Sequence, residues 1–204
     1  IGIALAAGAL ASLWQARPVR APGANDNASG VAAMLTATEQ LLALLPQGVE
    51  LWIVGSGAGG AGCNGMRAFV DAHRDWTPEH SLFINFKCVG GGALHYIRRE
   101  GPLGKTAYFS PLMEVARRVS ASGLFGELTP VDWPEDTDGG AAARGGFQVL
   151  SLLSLEADGL PRNQRPASDL PASLDMETVV RAADFGTAVA RAALRGESGP
   201  ISLL

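Results

Sequence analysis

The spacing of apolar and polar residues along the chain predicts an alternation of helices and strands. Val31, Met34, Leu35, Thr38, Leu41, Leu42 and Leu45 form a helical stripe, with Asn27 or Ser29 placed to cap it and Pro46 and Gly48 placed to end it. Residues 49–54, Val-Glu-Leu-Trp-Ile-Val, read as a strand that runs into the glycine-rich loop 55–62. A short helix is predicted over 65–73, and buried strands over 81–86, 93–99 and 148–155. Ser110 and Pro111 open a helix that Gly123 ends, and a short helix follows over 137–144. After a polar, proline-rich loop over 156–173, Asp175 caps a long helix reaching Arg195. Its inner face is read as Val179, Ala182, Ala183, Gly186, Val189, Ala190 and Ala193. This order implies an α/β fold around a largely parallel sheet. With only four strands, the sheet is expected to leave an open edge.

The residues from Ile1 to Trp14 carry no charge. They fall short of the roughly 20 residues that a membrane span needs. They read as an apolar helix ending a membrane anchor, with Trp14 at the interface and Arg17 and Arg20 among the headgroups. A buried helix or a signal-peptide remnant is the alternative. The organisation expected is an apolar helix over 1–16, a linker over 17–24, a folded domain over 25–196 and a tail over 197–204.

Composition narrows the possibilities. Charged residues are 18% of the 204 and apolar ones 47%, a balance that suits one folded domain rather than a disordered chain. A net charge of −4 gives no electrostatic footprint for nucleic acid. Cys63 and Cys88 can form one bridge or remain two buried thiols. Three histidines, His73, His80 and His95, are the whole imidazole supply.

The most specific string is Pro22-Gly-Ala-Asn-Asp-Asn-Ala-Ser-Gly-Val-Ala-Ala33. It resembles the signature of the di-zinc aminopeptidase family that includes bacterial leucyl aminopeptidase and glutaminyl cyclase. Residues 52–58 followed by 62–70 resemble that family's strand, catalytic loop and helix. Residues 83–90 resemble its next strand, and 166–175 with the last helix its closing segment. The resemblance implies a zinc-exopeptidase-like three-layer sandwich with a mostly parallel or mixed sheet. The N-terminal part of that fold is expected to be truncated and replaced by the apolar helix.

The resemblance also implies where metal chemistry should sit, and the sequence departs from it there. The family's Asp in this string bridges two zinc ions, which makes Asp26 its counterpart. No histidine precedes Asp26, although the family supplies a ligand there. The family's Gly-Ala-Glu-Glu-Ala-Gly falls on residues 57–62, so Gly59 and Gly60 replace the base and a ligand. Lys87 stands where a strand-end carboxylate belongs, and Gln164 near the late histidine. Two zinc ions need several oxygen and nitrogen ligands, and only Asp26 remains. Lys87 is expected either to pair with Asp26 in place of metal or to reach solvent from a drifted site. Asp26-Asn27 then shapes a turn or retains residual metal binding.

The remaining features have ordinary readings: an anion nest or a plain loop at 57–62, core or surface positions for the histidines, and a solvated loop for Asp132, Glu135, Asp136 and Asp138. The favoured expectation is an inactive, degenerate aminopeptidase domain with no catalytic residues, no metal and no cofactor. Its role would be structural or partner-binding in a membrane-associated assembly, with protein subunits or lipid meeting the residues from Ile1 to Trp14. Two alternatives stay open. One is an active zinc aminopeptidase with relocated ligands. The other is a peptide- or amine-binding module using a vestigial cleft of Asp26, Asn27, Lys87 and Gln164.

Overall fold

A computed structural model describes residues 22–102, 106–163 and 166–196. Among the described residues, five strands build one sheet: β1 (Leu82–Lys87), β2 (Ala93–Glu100), β3 (Thr106–Ala107), β4 (Thr129–Trp133) and β5 (Gln148–Leu155). β1 runs parallel to β5 and β2 parallel to β4, while β2 and β5 are antiparallel. His95 opposes both Leu153 and Thr129, so β5 and β4 flank β2 on opposite edges. Glu100 opposes both Thr106 and Trp133, which puts β3 on the same edge as β5. The sheet is therefore mixed rather than largely parallel. The cause lies in the connection 88–92, because a parallel return needs a crossover of about a dozen residues or more and only five join β1 to β2.

Five helices among the described residues cover the sheet: α1 (Gly30–Leu42), α2 (Asn64–Ala72), α3 (Pro111–Ala121), α4 (Asp138–Arg144) and α5 (Met176–Leu194). On one face α1, α3 and α5 pack on Phe86, Leu94, Tyr96, Leu150 and Leu152. On the other, α2 and α4 pack on Ile97, Val149, Leu153 and Leu155. The result is the expected three-layer sandwich. β5 reads as an almost unbroken apolar run because both of its faces are covered. Asp175 caps α5 as expected, accepting from the Glu177 N–H at 3.0 Å. Gly186 lets α5 lie close to the sheet, since a Cβ there would meet the Phe86 ring at 2.9 Å.

Three local expectations change. The buried side of α1 is the small-residue stripe Gly30, Ala33, Ala37 and Leu41, while Val31, Leu35 and Leu42 are exposed. Close packing of α1 on the alanine-rich α5 favours small side chains at the contact, so the larger stripe turns outward. Neither Asn27 nor Ser29 caps α1 with its side chain, because the chain enters it through the turn Ala24–Ser29, kinked at Asp26 and Asn27, and both side chains bond elsewhere. Residues 49–54 pair with no strand. Trp52 packs instead against Phe69, His73 and Trp76. A β-favouring sequence supplies fit to a sheet but not the neighbour that completes a ladder.

Among the described residues, no helix is long and apolar enough to cross a membrane. The expected helix over residues 1–16 and the linker up to residue 21 lie outside the described residues, as does the tail over 197–204.

Candidate functional site

Residues 24–29 meet the C-terminal end of β1, and polar side chains stitch the two together. Asn27 Nδ2 donates to the Phe86 carbonyl at 2.9 Å, and its Oδ1 accepts from the Cys88 N–H at 2.8 Å. Asn25 Oδ1 accepts from the Gly90 N–H at 2.8 Å, and Ser29 Oγ accepts from the Val89 N–H at 3.1 Å. Asp169 closes the turn from the other side, taking the Asn25 N–H at 2.5 Å and the Asp26 N–H at 3.0 Å. Asn25, Ser29 and Asp169 are buried, so each would be costly without these partners. The Asp26–Asn27 peptide bond is cis.

This frame directs the Asp26 carboxylate toward Lys87. Lys87 Nζ donates to Asp26 Oδ1 at 2.5 Å, with the lysine side chain 26% exposed and the aspartate 60%. Desolvation works against the Lys87 ammonium, but the neighbouring Cys88 and the bond to Asp26 outweigh it and hold its pKa above the usual lysine value. Cys88 beside it is pushed up to about 12 by burial, partly offset by the Lys87 charge. Cys63 is pushed up to about 11, again chiefly by burial. Both cysteines are free and buried, which settles them as thiols rather than a bridge.

Gly59 and Gly60 lie in an exposed single 3₁₀ turn, Gly59–Ala61. A Cβ at either would meet nothing within 4 Å, so the position has room for side chains that the sequence does not provide. Gln164 lies outside the described residues. Asp26 and Lys87 are thus the two predicted site residues that the fold brings into contact. The histidines lie elsewhere: His73 within the Trp52–Phe69–Trp76 cluster, His95 at 2.9 Å from Thr129 Oγ1, and His80 on a 3₁₀ turn. The acidic group disperses: Asp132 pairs with Arg98, Asp136 with Arg144, and Asp138 accepts from Ser56. Among the described residues, no group of three or more His, Cys, Asp or Glu could hold a metal ion.

The sequence pattern of peptidase family M28 matches residues 11–186. The chain belongs to this family. The M28 domain also shares its fold with solved structures. One is an aminopeptidase from Aneurinibacillus sp. strain AM-1, with a TM-score of 0.68 at 20% identity over 91% of this chain and 43% of that one. Another is a zinc aminopeptidase from Bacillus subtilis, with a TM-score of 0.64 at 20% identity over 83% and 42%. The chain spans less than half the length of each. No curated protein matches it.

Zinc takes about four nitrogen, sulfur or oxygen ligands. The M28 domain presents one carboxylate already bonded to an ammonium, two glycines, and an Asp169 carboxylate occupied by backbone N–H groups. These residues do not fit a zinc centre.

A second polar cluster escaped the sequence reading. Glu100 is fully buried, at 0% exposure, and accepts from Tyr108 Oη at 2.7 Å, the Thr137 N–H at 2.8 Å and Thr137 Oγ1 at 2.7 Å. Ser151 and Asn85 extend the network. Simple alternation would set Glu100 on the side of Leu94 and Tyr96. A register shift between Ile97 and Arg99 turns it to the opposite face, above Gly140, where a Cβ would collide with its carboxyl. The one carboxylate of β2, at its end, and the adjacent glycines at residues 139 and 140 were the available signals.

Proposed function

We propose that this M28 domain is non-catalytic and serves a structural or partner-binding role. The observation that carries this reading is the 2.5 Å contact between Lys87 Nζ and Asp26 Oδ1. The Lys87 pKa is raised, so the ammonium is charged at neutral pH and would repel a divalent cation beside Asp26. Gly59 and Gly60 provide neither a proton acceptor nor a ligand. The same contact weighs against amine recognition at Asp26, because an incoming ammonium would have to displace Lys87.

Elemental analysis after equilibration with zinc, combined with an aminoacyl 4-nitroanilide cleavage assay, tests the proposal. Substoichiometric zinc and no zinc-dependent turnover are expected. One or more equivalents of zinc together with turnover would establish an active enzyme with relocated ligands instead.

A further inference from the structure

The loop that carries Gly59 and Gly60 is fastened at its ends. Residues 57–62, Gly-Ala-Gly-Gly-Ala-Gly, are all exposed. A Cβ on any of the four glycines would meet nothing within 4 Å. The Ala61 N–H bonds the Ala58 carbonyl and the Cys63 N–H the Gly59 carbonyl, each at 3.1 Å. These bonds shape the loop from within and do not tie it to the sheet. Ala58 and Cys63, which bracket this turn, each hold a φ of 57°. That left-handed backbone is unfavourable for residues with a Cβ and persists only where the surroundings impose it.

Contacts at the two ends impose it. Ser56 Oγ donates to Asp138 Oδ2 at the start of α4, 82 residues away. The Gly65 N–H of α2 donates to the Gly57 carbonyl at 3.2 Å. That approach needs a glycine, because a Cβ on Gly65 would meet the Gly57 oxygen at 2.3 Å. At the other end Cys63 is 2% exposed and sits in the apolar cluster of Met66, Val70, Ala141 and Ala142. Its Sγ donates to the Gly59 carbonyl at 3.7 Å, so the loop turns back over the thiol. Asp138 acts on this end as well, adding to the burial that raises the Cys63 pKa. One carboxylate of α4 thus faces the residues on both sides of the exposed loop.

We propose that residues 57–62 are a lid over the Cys63 thiol, latched by the contact of Ser56 with Asp138. Breaking the latch lets Ala58 leave the left-handed region and costs the loop no packing around its glycines. Gly59 then swings off the thiol, and Cys63 meets solvent while α2, α4 and the sheet stay folded. Segments with so few buried contacts occupy the low-stability end of a structure. Four glycines widen the open ensemble further. The device gates a thiol with residues of this chain alone, and it holds whether or not the domain has a catalytic role.

Thiol labelling of the full 204-residue chain tests this. Cys88→Ser leaves Cys63 as its one thiol. Alkylation by iodoacetamide at pH 8 gives the opening equilibrium over Cys63, and hydrogen exchange at the slowest β5 amides gives that of global unfolding. The first is expected to exceed the second at least about tenfold. Ser56→Ala in the same background is expected to speed labelling at least about tenfold, the size set by one hydroxyl–carboxylate bond. A smaller gain would overturn the proposal. Ser56→Ala is preferred to Asp138→Asn, because loss of the Asp138 charge would by itself make the thiol more reactive.

Val189→Ala separates a lid from general loosening. Val189 is fully buried in α5, in the core on the opposite face of the sheet from Cys63. Its truncation weakens the closed and the open forms alike. Exchange at the β5 amides should then rise at least about fivefold, while Cys63 labelling stays within about twofold of the parent. Labelling that rises together with β5 exchange would show that the thiol is reached only by global unfolding, and the lid would be refuted.

Discussion

Lys87 and Asp26, 61 residues apart in sequence, form an ion pair of 2.5 Å at the end of β1. The aspartate comes from the most family-specific string of the chain, and the lysine from the position where the resemblance calls for a second carboxylate. One internal cation thus meets the carboxylate of that string.

Lys87→Met is expected to lower stability by roughly 0.5–1 kcal/mol, because Asp26 stays hydrated and exposed pairs contribute little. The folded pKa of Lys87 is raised, so its stabilising effect is complete below the ordinary value of 10.5 and fades as pH rises through the folded value. Urea midpoints from pH 8 to pH 12 should show this alkaline loss in the wild type and less of it in the variant. A loss beyond about 3 kcal/mol at pH 8 would instead indicate a buried pair.

Restoring carboxylates at the glycine turn should be tolerated but insufficient. Gly59→Glu with Gly60→Glu places both side chains in open space, and stability should change by about 0.5 kcal/mol or less. Zinc content and peptidase activity should stay at the wild-type level, since Lys87 still occupies Asp26. Stoichiometric zinc in this double variant would show that the two glycines alone had removed the metal site.

Asp169 holds the turn that aims Asp26. Asp169→Ala leaves the buried Asn25 N–H and the Asp26 N–H without their acceptor, a loss of about 1–3 kcal/mol. Asp169→Asn keeps one acceptor oxygen and should lose less. Thermal unfolding gives the ranking, and the lysine side-chain NMR signal of Lys87 should shift in the alanine variant as Asp26 moves.

Glu100 should impose a pH dependence in the acidic range. Burial raises its pKa against the opposing bonds from Thr137 and Tyr108. The folded state therefore binds the proton more tightly than the unfolded state does. Its contribution to stability is greatest below the ordinary value of 4.5 and falls as pH rises through the folded value. Glu100→Gln should abolish that component of the urea-midpoint profile between pH 4 and pH 8. Glu100→Ala should cost about 3 kcal/mol at low pH by orphaning buried donors, and less as pH rises and the wild-type contribution falls. A wild-type profile parallel to that of Glu100→Gln would refute the titration.

The sequence by itself determined the three-layer α/β class, β5 to the residue, the Asp175 cap and the family signature around Asp26. These are local properties: burial repeats with the period of each element, and a cap or signature lies within a few consecutive residues. Only the tertiary structure decided the rest. It joined Lys87 to Asp26, brought Asp169 under the Asn25 and Asp26 amides, exposed Val31 and Leu35, and left residues 49–54 unpaired. It also turned Glu100 inward through a one-residue shift in β2. Each of these depends on which distant segment supplies the other half of a contact. Hydrophobic periodicity records that a face is buried but carries no information about what buries it.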